Sequence, residues 1–532
     1  MQWPETILDR IHEETHFGDR TMKCFADRPA DVNVMFAEAL LHNPAGEAVV
    51  AGERRLTYTQ LDRQIAMLVA GLRSCGVSRG DRVAMLLGNR IEFLTVLLAT
   101  LRIGAIAVPI NVREQTPELT YILNHCGAVL LIHDRDIDNK IPQEDVLEHL
   151  QYRYSVGGDT EIARDFSDLK SLTPIEYTAE TAEEDVAVIL YTSGTTGLPK
   201  GAMLTHFNIV HSTMHFELCM GLADGERSIL AVPASHVTGL VAILATMLRV
   251  AGCTVMLEVF EAQSFLKIAA LEKITHTLIV PAMYNLFLLR CEISDHDLST
   301  WRVGGYGGAP MPESTIEVLS QKLPQLLLAN AYGSTEATSP ATMLPPGTGT
   351  SRSDSVGIAL PCANIRVVDE QGNNVPDGEH GELWIGGPMM VPGYWNNPEK
   401  TVEEFHDGYW KSGDIGSRDK EGFFRLHDRR KDMIIRGGYN IYSAEIENVV
   451  TGIDEVIECA VIGRADPVLG EKTEVIVHAN IDSITTAQIV DHCRAHLADY
   501  KVPDFVTIRL QPLPRNANGK IIKRVLREKQ GC

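Results

Sequence analysis

The apolar positions of the chain follow two different periods, and their alternation predicts the fold class. Residues 57–72 carry apolar side chains three and four positions apart, which is the period of a helix with one buried face. Thr57 and Gln60 have the spacing of a capping box, so the helix is predicted to begin after Thr57. Gly76 is a stop signal for the same helix.

Short continuous apolar runs predict buried strands between the helical segments. A further helix is predicted near Ile91–Leu101. The predicted strands are Val83–Leu87, Ile106–Ile110, Val186–Leu190, Ser228–Val232 and Thr277–Val280. Strands that alternate with helices are typical of an α/β fold with largely parallel sheets.

The pattern changes in the last third of the chain. Residues 339–357 are rich in Pro, Gly, Ser and Thr and are predicted to form a loop. The short alternating runs Ile365–Asp369 and Glu382–Gly386 then predict a small antiparallel β region. A later group predicts a separate α+β domain, with strands at Val456–Ile462, Glu474–Asn480 and Phe505–Leu510 and a helix at Thr486–Leu497.

Composition excludes several classes of protein. The net charge of −22 argues against nucleic-acid binding, which needs a basic face. No apolar run reaches the roughly 20 residues of a membrane span, and the N-terminus is polar and acidic rather than signal-like. The ten cysteines lack metal-type spacing, which favours free thiols in a reducing compartment. We therefore expect a cytoplasmic protein, with a homodimer left open.

Candidate chemistry begins with the string YTSGTTGLPKG at Tyr191–Gly201, directly after an apolar run. Glycines let a backbone close round a phosphate, hydroxyl groups add donors, and Lys200 adds a positive charge. A flexible hairpin would explain the same composition. The spacing differs from that of a Walker loop, which excludes a P-loop NTPase on this criterion.

The whole string resembles the phosphate-binding signature of the adenylate-forming enzymes, which include acyl-CoA synthetases, firefly-type luciferases and peptide-synthetase adenylation domains. Further segments match this superfamily in order along nearly the whole chain: YGGAP at 306–310, NAYGSTEA at 330–337, GELWIGGPMMVPGY at 381–394, WKSGDIG at 410–416, GGYNIYSAEIE at 437–447 and LPRNANGK at 513–520. The resemblance implies an N-terminal AMP-binding domain at 1–428, a hinge at 429–432 and a mobile C-terminal domain at 433–532. We take block 381–394 to be structural.

The same resemblance assigns site residues. For the nucleotide and CoA they are Ser193, Gly194, Thr195, Thr196, Gly197, Lys200, Gly307, Gly308, Ala309, Pro310, Asn330, Ala331, Tyr332, Gly333, Thr335, Asp414, Arg429, Gly437 and Gly438. Glu336 and Thr192 would hold Mg²⁺, and Tyr332 would stack on adenine. Lys520 would reach the reacting carboxylate, Lys431 would be the hinge, and His236 would be the gate of the acyl pocket.

Each of these residues has an ordinary explanation when taken alone. A glutamate such as Glu336 is most often a solvated surface group. Lys520, before a C-terminal helix, would usually be a snorkelling surface lysine, and His236 could be a hydrogen-bonded core histidine. Only the ordered set of motifs favours the catalytic interpretation.

The resemblance also brings departures. Ser412 stands where the family often has threonine, and Asp428 stands where many relatives have glycine. Tyr439 and Ser443 replace the usual Glu and Pro of the loop that lines the pantetheine tunnel. The changes at 439 and 443 leave the details of CoA contact open.

The implied function is that of an acyl-CoA synthetase, an acid–thiol ligase with ATP, Mg²⁺ and coenzyme A as cofactors. It would convert a small-molecule carboxylic acid to acyl-AMP and pyrophosphate, and then to the CoA thioester and AMP. The acyl pocket expected from the family is neutral, being formed by residues such as Val237, Thr238, Met283, Tyr284, Gly304, Gly305, Ala331 and Thr338.

An apolar pocket gains about 0.8 kcal/mol for each methylene that it buries. A medium- or long-chain fatty acid is therefore the favoured substrate, with an aromatic acid of benzoate or cinnamate type as the alternative. A luciferase-like oxidase and acyl transfer to a carrier protein also stay open.

Overall fold

The computed structural model describes residues 1–170, 173–192, 198–349, 351–437, 439–479, 484–516 and 519–528. The chain forms two compact units. The first comprises Met1–Ile365, Ile385–Trp410 and Glu421–Phe423. The second comprises Arg366–Trp384, Lys411–Lys420 and Phe424–Cys532.

Helices and strands alternate along the described part of the chain. The helices are α1 (Glu5–Leu8), α2 (Val32–His42), α3 (Tyr58–Ser74), α4 (Ile91–Arg102), α5 (Thr116–Cys126), α6 (His206–Met220), α7 (Thr246–Arg249), α8 (Ala262–Leu271), α9 (Pro281–Arg290), α10 (Glu313–Lys322), α11 (Pro398–Glu404), α12 (Ser443–Thr451), α13 (Thr486–His496) and α14 (Lys523–Glu528). The strands of the first half are β1 (Ile11–His16), β2 (Arg20–Phe25), β3 (Glu47–Ala51), β4 (Arg54–Thr57), β5 (Arg82–Leu86), β6 (Ile106–Pro109), β7 (Ala128–Asp134), β8 (Tyr152–Val156), β9 (Arg164–Asp165), β10 (Val186–Thr192), β11 (Lys200–Thr205), β12 (Arg227–Leu230), β13 (Cys253–Met256) and β14 (His276–Ile279). Those of the second half are β15 (Val303–Tyr306), β16 (Leu327–Ser334), β17 (Ser339–Met343), β18 (Gly357–Ala359), β19 (Asn364–Val368), β20 (Gly381–Gly386), β21 (Phe405–His406), β22 (Tyr409–Arg418), β23 (Phe423–Arg429), β24 (Ile434–Arg436), β25 (Tyr439–Ile441), β26 (Val456–Asp466), β27 (Gly470–Ala479) and β28 (Phe505–Arg509).

Two sheets organise the first unit. One has the order β11-β10-β6-β5-β7-β8-β9, and the other includes the run β18-β17-β16-β15-β14-β12-β13-β3-β4. In the second, β13, β12, β14, β15 and β16 are parallel neighbours. Parallel strands bring their carboxyl ends to one edge, so the segments after β15 and β16 lie side by side.

One sheet lies wholly within the second unit. It contains β24, β25, β26 and β27 with β28 beside β27, and α12 and α13 share its apolar core. The antiparallel pair β22 and β23 carries residues Asp414 and Arg429 as direct cross-strand neighbours. This register places an acidic and a basic side chain together.

The α/β prediction is confirmed, as are most of its elements. Helix α3 begins after Thr57, and both hydrogen bonds of the Thr57–Gln60 capping box are present. One prediction was wrong, because residues 339–357 are not a single loop: β17 begins at Ser339, pairs with β16 and is largely buried. The Pro and Gly content suggested a loop, but pairing with a buried neighbour decides the conformation.

A stretch of π-helix, Thr238–Ala245, follows the His236 segment, and its apolar residues are almost fully buried. No pattern in the sequence indicates this rare conformation. The cysteines of the described residues are free thiols. Over the same residues, every helix is too short or too polar to span a bilayer.

Two buried histidines make the stability of the fold depend on pH. Burial lowers the pKa of His215 and of His276 from 6.5 to about 3. The unfolded chain therefore binds more protons than the folded chain between pH 6.5 and 3, so stability is full above pH 6.5 and falls as the pH drops below it. We predict a loss of up to ~1.4 kcal/mol per pH unit for each histidine.

Denaturant unfolding at pH 7.5, 6 and 5, with proton uptake measured on unfolding, tests this prediction. His276→Asn should flatten the pH dependence, and the same change at the exposed His149 serves as the control substitution. Equal stability at pH 7.5 and pH 5 in the unsubstituted protein would contradict the prediction.

Candidate active site

The phosphate-loop string lies at the open end of the β10–β11 hairpin. Thr192 is the last residue of β10, and Lys200, the first of β11, lies directly opposite it in the antiparallel register. The predicted residues Ser193, Gly194, Thr195, Thr196 and Gly197 lie outside the described residues, so their role stays a prediction.

Lys200 is held by two other side chains of the first unit. Its Nζ lies 2.6 and 2.8 Å from the two carboxylate oxygens of Glu404 and 3.3 Å from the hydroxyl of Tyr394. The Tyr394 hydroxyl also lies 2.9 Å from Oε1 of Glu336 and 2.5 Å from Oε2 of Glu404. We call these four residues the Lys200 cluster.

The Lys200 cluster is suited to a hard divalent cation beside Glu336. Glu336 and Tyr394 are buried, and burial together with the Glu336 carboxylate raises the pKa of Tyr394. Two carboxylates against one ammonium leave an excess negative charge, and carboxylate oxygens are ligands that Mg²⁺ prefers. Glu336 therefore fits the metal that the sequence predicts, and the role of Glu336 and Thr192 as metal ligands stays a prediction.

The proposed adenine turn rests on backbone. Gly307 follows β15, and a Cβ on it would overlap the carbonyl oxygen of Ala331 in β16. Gly308 has φ +78°, which favours glycine. Gly308, Ala309 and Pro310 are exposed. The proposed contact of this turn with adenine stays a prediction.

Neighbouring residues of β16 and its turn have mixed roles. Asn330 is buried, and its Nδ2 donates to the carbonyl of Ser355 at 3.3 Å. The side chain of Asn330 therefore connects β16 to the segment that precedes β18. Tyr332 and Thr335 are half-buried. A Cβ on Gly333 would overlap the Ser339 carbonyl oxygen, so only glycine fits the hairpin there.

His236 is half-buried and folds back on its own segment. The backbone N–H of Thr238 donates to His236 Nδ1 at 3.3 Å, which places the proton of the neutral ring on Nε2. Oγ1 of Thr238 lies 3.2 Å from the same nitrogen. The proposed gate role stays a prediction.

The small residues of the predicted acyl pocket are closely backed by other groups. A Cβ on Gly304 would lie 2.9 Å from the hydroxyl of the fully buried Tyr284, and one on Gly305 would lie 3.0 Å from Leu278. Thr338 is also buried, with φ +48°, and its hydroxyl has no hydrogen-bond partner among the described residues. These glycines therefore permit close packing and leave no open space behind them.

Asp414 and Arg429 form an ion pair in the second unit. Nε of Arg429 lies 2.6 Å from Oδ1 of the buried Asp414. The Ser412 hydroxyl donates to the Leu383 carbonyl at 2.7 Å and accepts from the Asp414 N–H at 3.0 Å. The serine hydroxyl at 412 thus joins Leu383 to the backbone of Asp414.

Lys520 belongs to the same charged group of the second unit. The side chain of Asn516 accepts from the Lys520 N–H at 2.9 Å and closes the turn that carries Lys520. Lys520 as a residue is exposed, but desolvation of its ammonium and the nearby Arg429 cation lower its pKa to about 8. Desolvation also lowers the pKa of Lys431. A cluster of cations is what an anionic substrate requires.

The predicted CoA loop is only partly described. Gly437 has φ +58°, and its N–H donates to the Leu469 carbonyl at 2.8 Å. Gly438 lies outside the described residues. Tyr439, which replaces the usual glutamate, is exposed and stacks on Tyr500 with ring centroids 4.7 Å apart.

Sequence reasoning misses two parts of the site. Tyr394 lies in a block that the motifs indicate to be structural, and no pattern singles out Glu404. Asp428 and Ser443 stand out only as separate departures, yet the N–H and hydroxyl of Ser443 both donate to the Asp428 carboxylate. The sequence does contain a signal for the Asp428–Ser443 pair, because both departures from the family pattern occur in the same chain.

Comparison with known proteins agrees with the motifs. Residues 36–395 match the family model of AMP-binding enzymes, and residues 445–520 match the model of the AMP-binding enzyme C-terminal domain. The chain belongs to the AMP-binding enzyme family. Membership of the adenylate-forming superfamily is thereby confirmed, as is the prediction of an AMP-forming acid–thiol ligase.

Relatives within the AMP-binding enzyme family differ in the acid that their names specify. A feruloyl-CoA synthase of Amycolatopsis sp is 35% identical to this chain, and the matched region covers 92% of this chain and 97% of the length of the synthase. The long-chain-fatty-acid–CoA ligase FadD13 of Mycobacterium tuberculosis is 33% identical over 89% of this chain and 93% of its own. The solved structure of o-succinylbenzoate coenzyme A synthetase from Bacillus subtilis, in complex with ATP and magnesium ion, is 27% identical, with a TM-score of 0.82 over 94% of this chain and 99% of that chain.

The lowered pKa of Lys520 leads to a direct prediction. After reductive ¹³C-methylation, its NMR resonance should titrate near pH 8, whereas an ordinary lysine titrates near 10.5. Arg429→Gln should raise this midpoint, because it removes a neighbouring positive charge. The resonance is assigned by its absence in Lys520→Arg, and a Lys520 midpoint above 10 would contradict the prediction.

Proposed function

We propose that this AMP-binding enzyme activates an aromatic carboxylic acid of benzoate or cinnamate type and transfers the acyl group to CoA. In the first step a carboxylate oxygen attacks the α-phosphorus of ATP, and the bond to pyrophosphate breaks. In the second step the CoA sulfur attacks the carbonyl carbon, and AMP leaves with the electrons of the broken C–O bond. The thiol proton passes to solvent.

The first step joins two anions, so electrostatic repulsion and positioning dominate its barrier. Preorganised positive charge offsets this repulsion, and one such donor is typically worth about 10²–10³ in rate. Lys520 and Arg429 supply positive charge in the second unit, whereas Lys200 in the first unit is paired with Glu404. Mg²⁺ held by Glu336 and Thr192 would neutralise phosphate charge.

The position of Tyr284 is the observation that favours an aromatic acid over a long aliphatic acid. A long aliphatic chain needs an open channel, but Tyr284 fills the space behind Gly304, and Leu278 backs Gly305. A compact planar acid needs less depth. The buried hydroxyl of Thr338, which has no partner among the described residues, offers a polar group to a ring substituent such as a phenolic hydroxyl.

A medium- or long-chain fatty acid is the second candidate. The predicted lining, which includes Val237 and Met283, carries no charge. Such a lining accepts aliphatic chains as readily as rings, and a fatty-acid ligase is among the similar relatives.

A panel of acids decides between these candidates. We predict that AMP release with CoA is highest for hydroxylated benzoates or cinnamates and low for acids from C12 to C18. Thr338→Val keeps the shape but removes the hydroxyl, so it should reduce kcat/KM for hydroxylated acids by roughly tenfold or more and spare the unsubstituted ones. Preferred turnover of the long-chain acids would overturn the aromatic assignment.

The two half-reactions should respond to different substitutions. Lys520→Ala should lower acid-dependent pyrophosphate exchange by about 10²-fold or more and leave thioester formation from supplied acyl-AMP largely intact. Lys431→Pro should do the reverse, because a fixed φ at the proposed hinge restricts the rearrangement that precedes thiol attack. Lys420→Ala, at an exposed site, serves as the control. Equal loss in both half-reactions would contradict either assignment.

A further inference from the structure

The ammonium of Lys200 has all its donors engaged by protein. An ammonium has three N–H groups, and Nζ lies within hydrogen-bond distance of both oxygens of Glu404 and the oxygen of Tyr394. Only 12% of the Lys200 side chain and 22% of the Glu404 side chain are exposed, so water screens this pair less than a surface pair. Lys200 is therefore held in place as the counter-ion of Glu404.

The Tyr394 hydroxyl faces more acceptors than it can satisfy. It has one proton, yet it lies within 2.9 Å of Glu336 Oε1 and within 2.5 Å of Glu404 Oε2. When Lys200 neutralises the charge of Glu404, the Tyr394 hydroxyl can donate its proton to Glu336. If Glu404 lost its charge, the Lys200 ammonium would be drawn toward the remaining carboxylate and would compete there with a divalent cation.

Backbone bonds fix Tyr394 independently of its hydroxyl. Ala202 in β11 forms a β-bridge with Tyr394, and the Trp395 N–H donates to the Gly201 carbonyl at 2.8 Å. The Val391 N–H donates to the backbone oxygen of Glu336 at 3.0 Å. The Tyr394 ring is thus already in place, and its hydroxyl acts on the orientation of the Glu336 carboxylate.

We propose that Glu404 and Tyr394 are positioning residues for the metal site at Glu336: Glu404 retains Lys200, and the Tyr394 hydroxyl orients the Glu336 carboxylate toward a divalent cation. This inference rests on the proposed function for its metal and nucleotide. The partners of metal ligands typically change metal affinity by 10–100-fold when substituted. Neither Glu404 nor Tyr394 needs to touch the substrate for this effect.

The test is titration of Mn²⁺ in the presence of ATP, followed by electron paramagnetic resonance. Glu404→Gln and Tyr394→Phe should each weaken Mn²⁺ binding about tenfold or more and raise the metal concentration that half-saturates pyrophosphate exchange. The KM for the acid should stay unchanged. Glu404→Asp should restore part of the affinity, because it restores the negative charge.

Glu403→Gln is the matched control, since Glu403 is the neighbouring residue of α11, is 62% exposed and pairs with Lys400 on the surface. It should bind Mn²⁺ as the unsubstituted protein does. Thermal unfolding of every variant separates a folding defect from a positioning defect.

The outcomes separate the two proposals. Unchanged Mn²⁺ affinity in Glu404→Gln and Tyr394→Phe would overturn the positioning role, even if both variants were less stable. If the unsubstituted protein bound Mn²⁺ with ATP but exchanged pyrophosphate with no acid of the panel, the proposed function would fail, whereas the binding comparison would still test the positioning role.

Discussion

In the first unit, the carboxylates of the candidate site outnumber the positive charges and hydroxyl protons that can pair with them. Glu336 and Glu404 both contact the single phenolic hydroxyl of Tyr394, and only Glu404 is paired with the Lys200 ammonium, in surroundings that are largely withdrawn from water. A buried charge without a partner is costly, so each member of the Lys200 cluster constrains the others. The constraint connects three parts of the chain that are distant in sequence: the β10–β11 hairpin, the turn after β16 and the segment 391–404. The excess negative charge favours a cation beside Glu336.

Much of the fold follows from local pattern. The capping box at Thr57, the apolar runs of β5, β6, β10, β12 and β14, and the alternation in the second unit are all evident in the sequence, because burial of one face sets the period of each element. The glycine at 307 is equally consistent with its place in the structure, since close approach to the Ala331 carbonyl needs a residue without a Cβ. At these positions a local requirement, either burial of one face or the absence of a Cβ, determines the residue type.

The remainder depends on partners that pattern does not reveal. β17 is a strand because β16 lies beside it, despite the composition of residues 339–357. Glu404 lies 204 positions from the lysine that it binds. Asp428 and Ser443 each look like an isolated departure from the family. Together they are complementary, because proline at 443 would lack both the N–H and the hydroxyl that Asp428 accepts. Non-local pairing of this kind is visible only once the fold is known.

The second unit shows how an acidic protein can still favour anions. The chain carries a net charge of −22, yet Arg429, Lys431 and Lys520 lie near one another around Asp414. Desolvation, together with their mutual repulsion, is what lowers the pKa of Lys520. An anion that binds beside Lys520 relieves that repulsion and raises the same pKa, so binding of the anion and protonation of the lysine reinforce each other. Part of the attraction of Lys520 for a phosphate or carboxylate therefore comes from relieving its repulsion by Arg429 and Lys431, which Asp414 and Asp432 only partly offset.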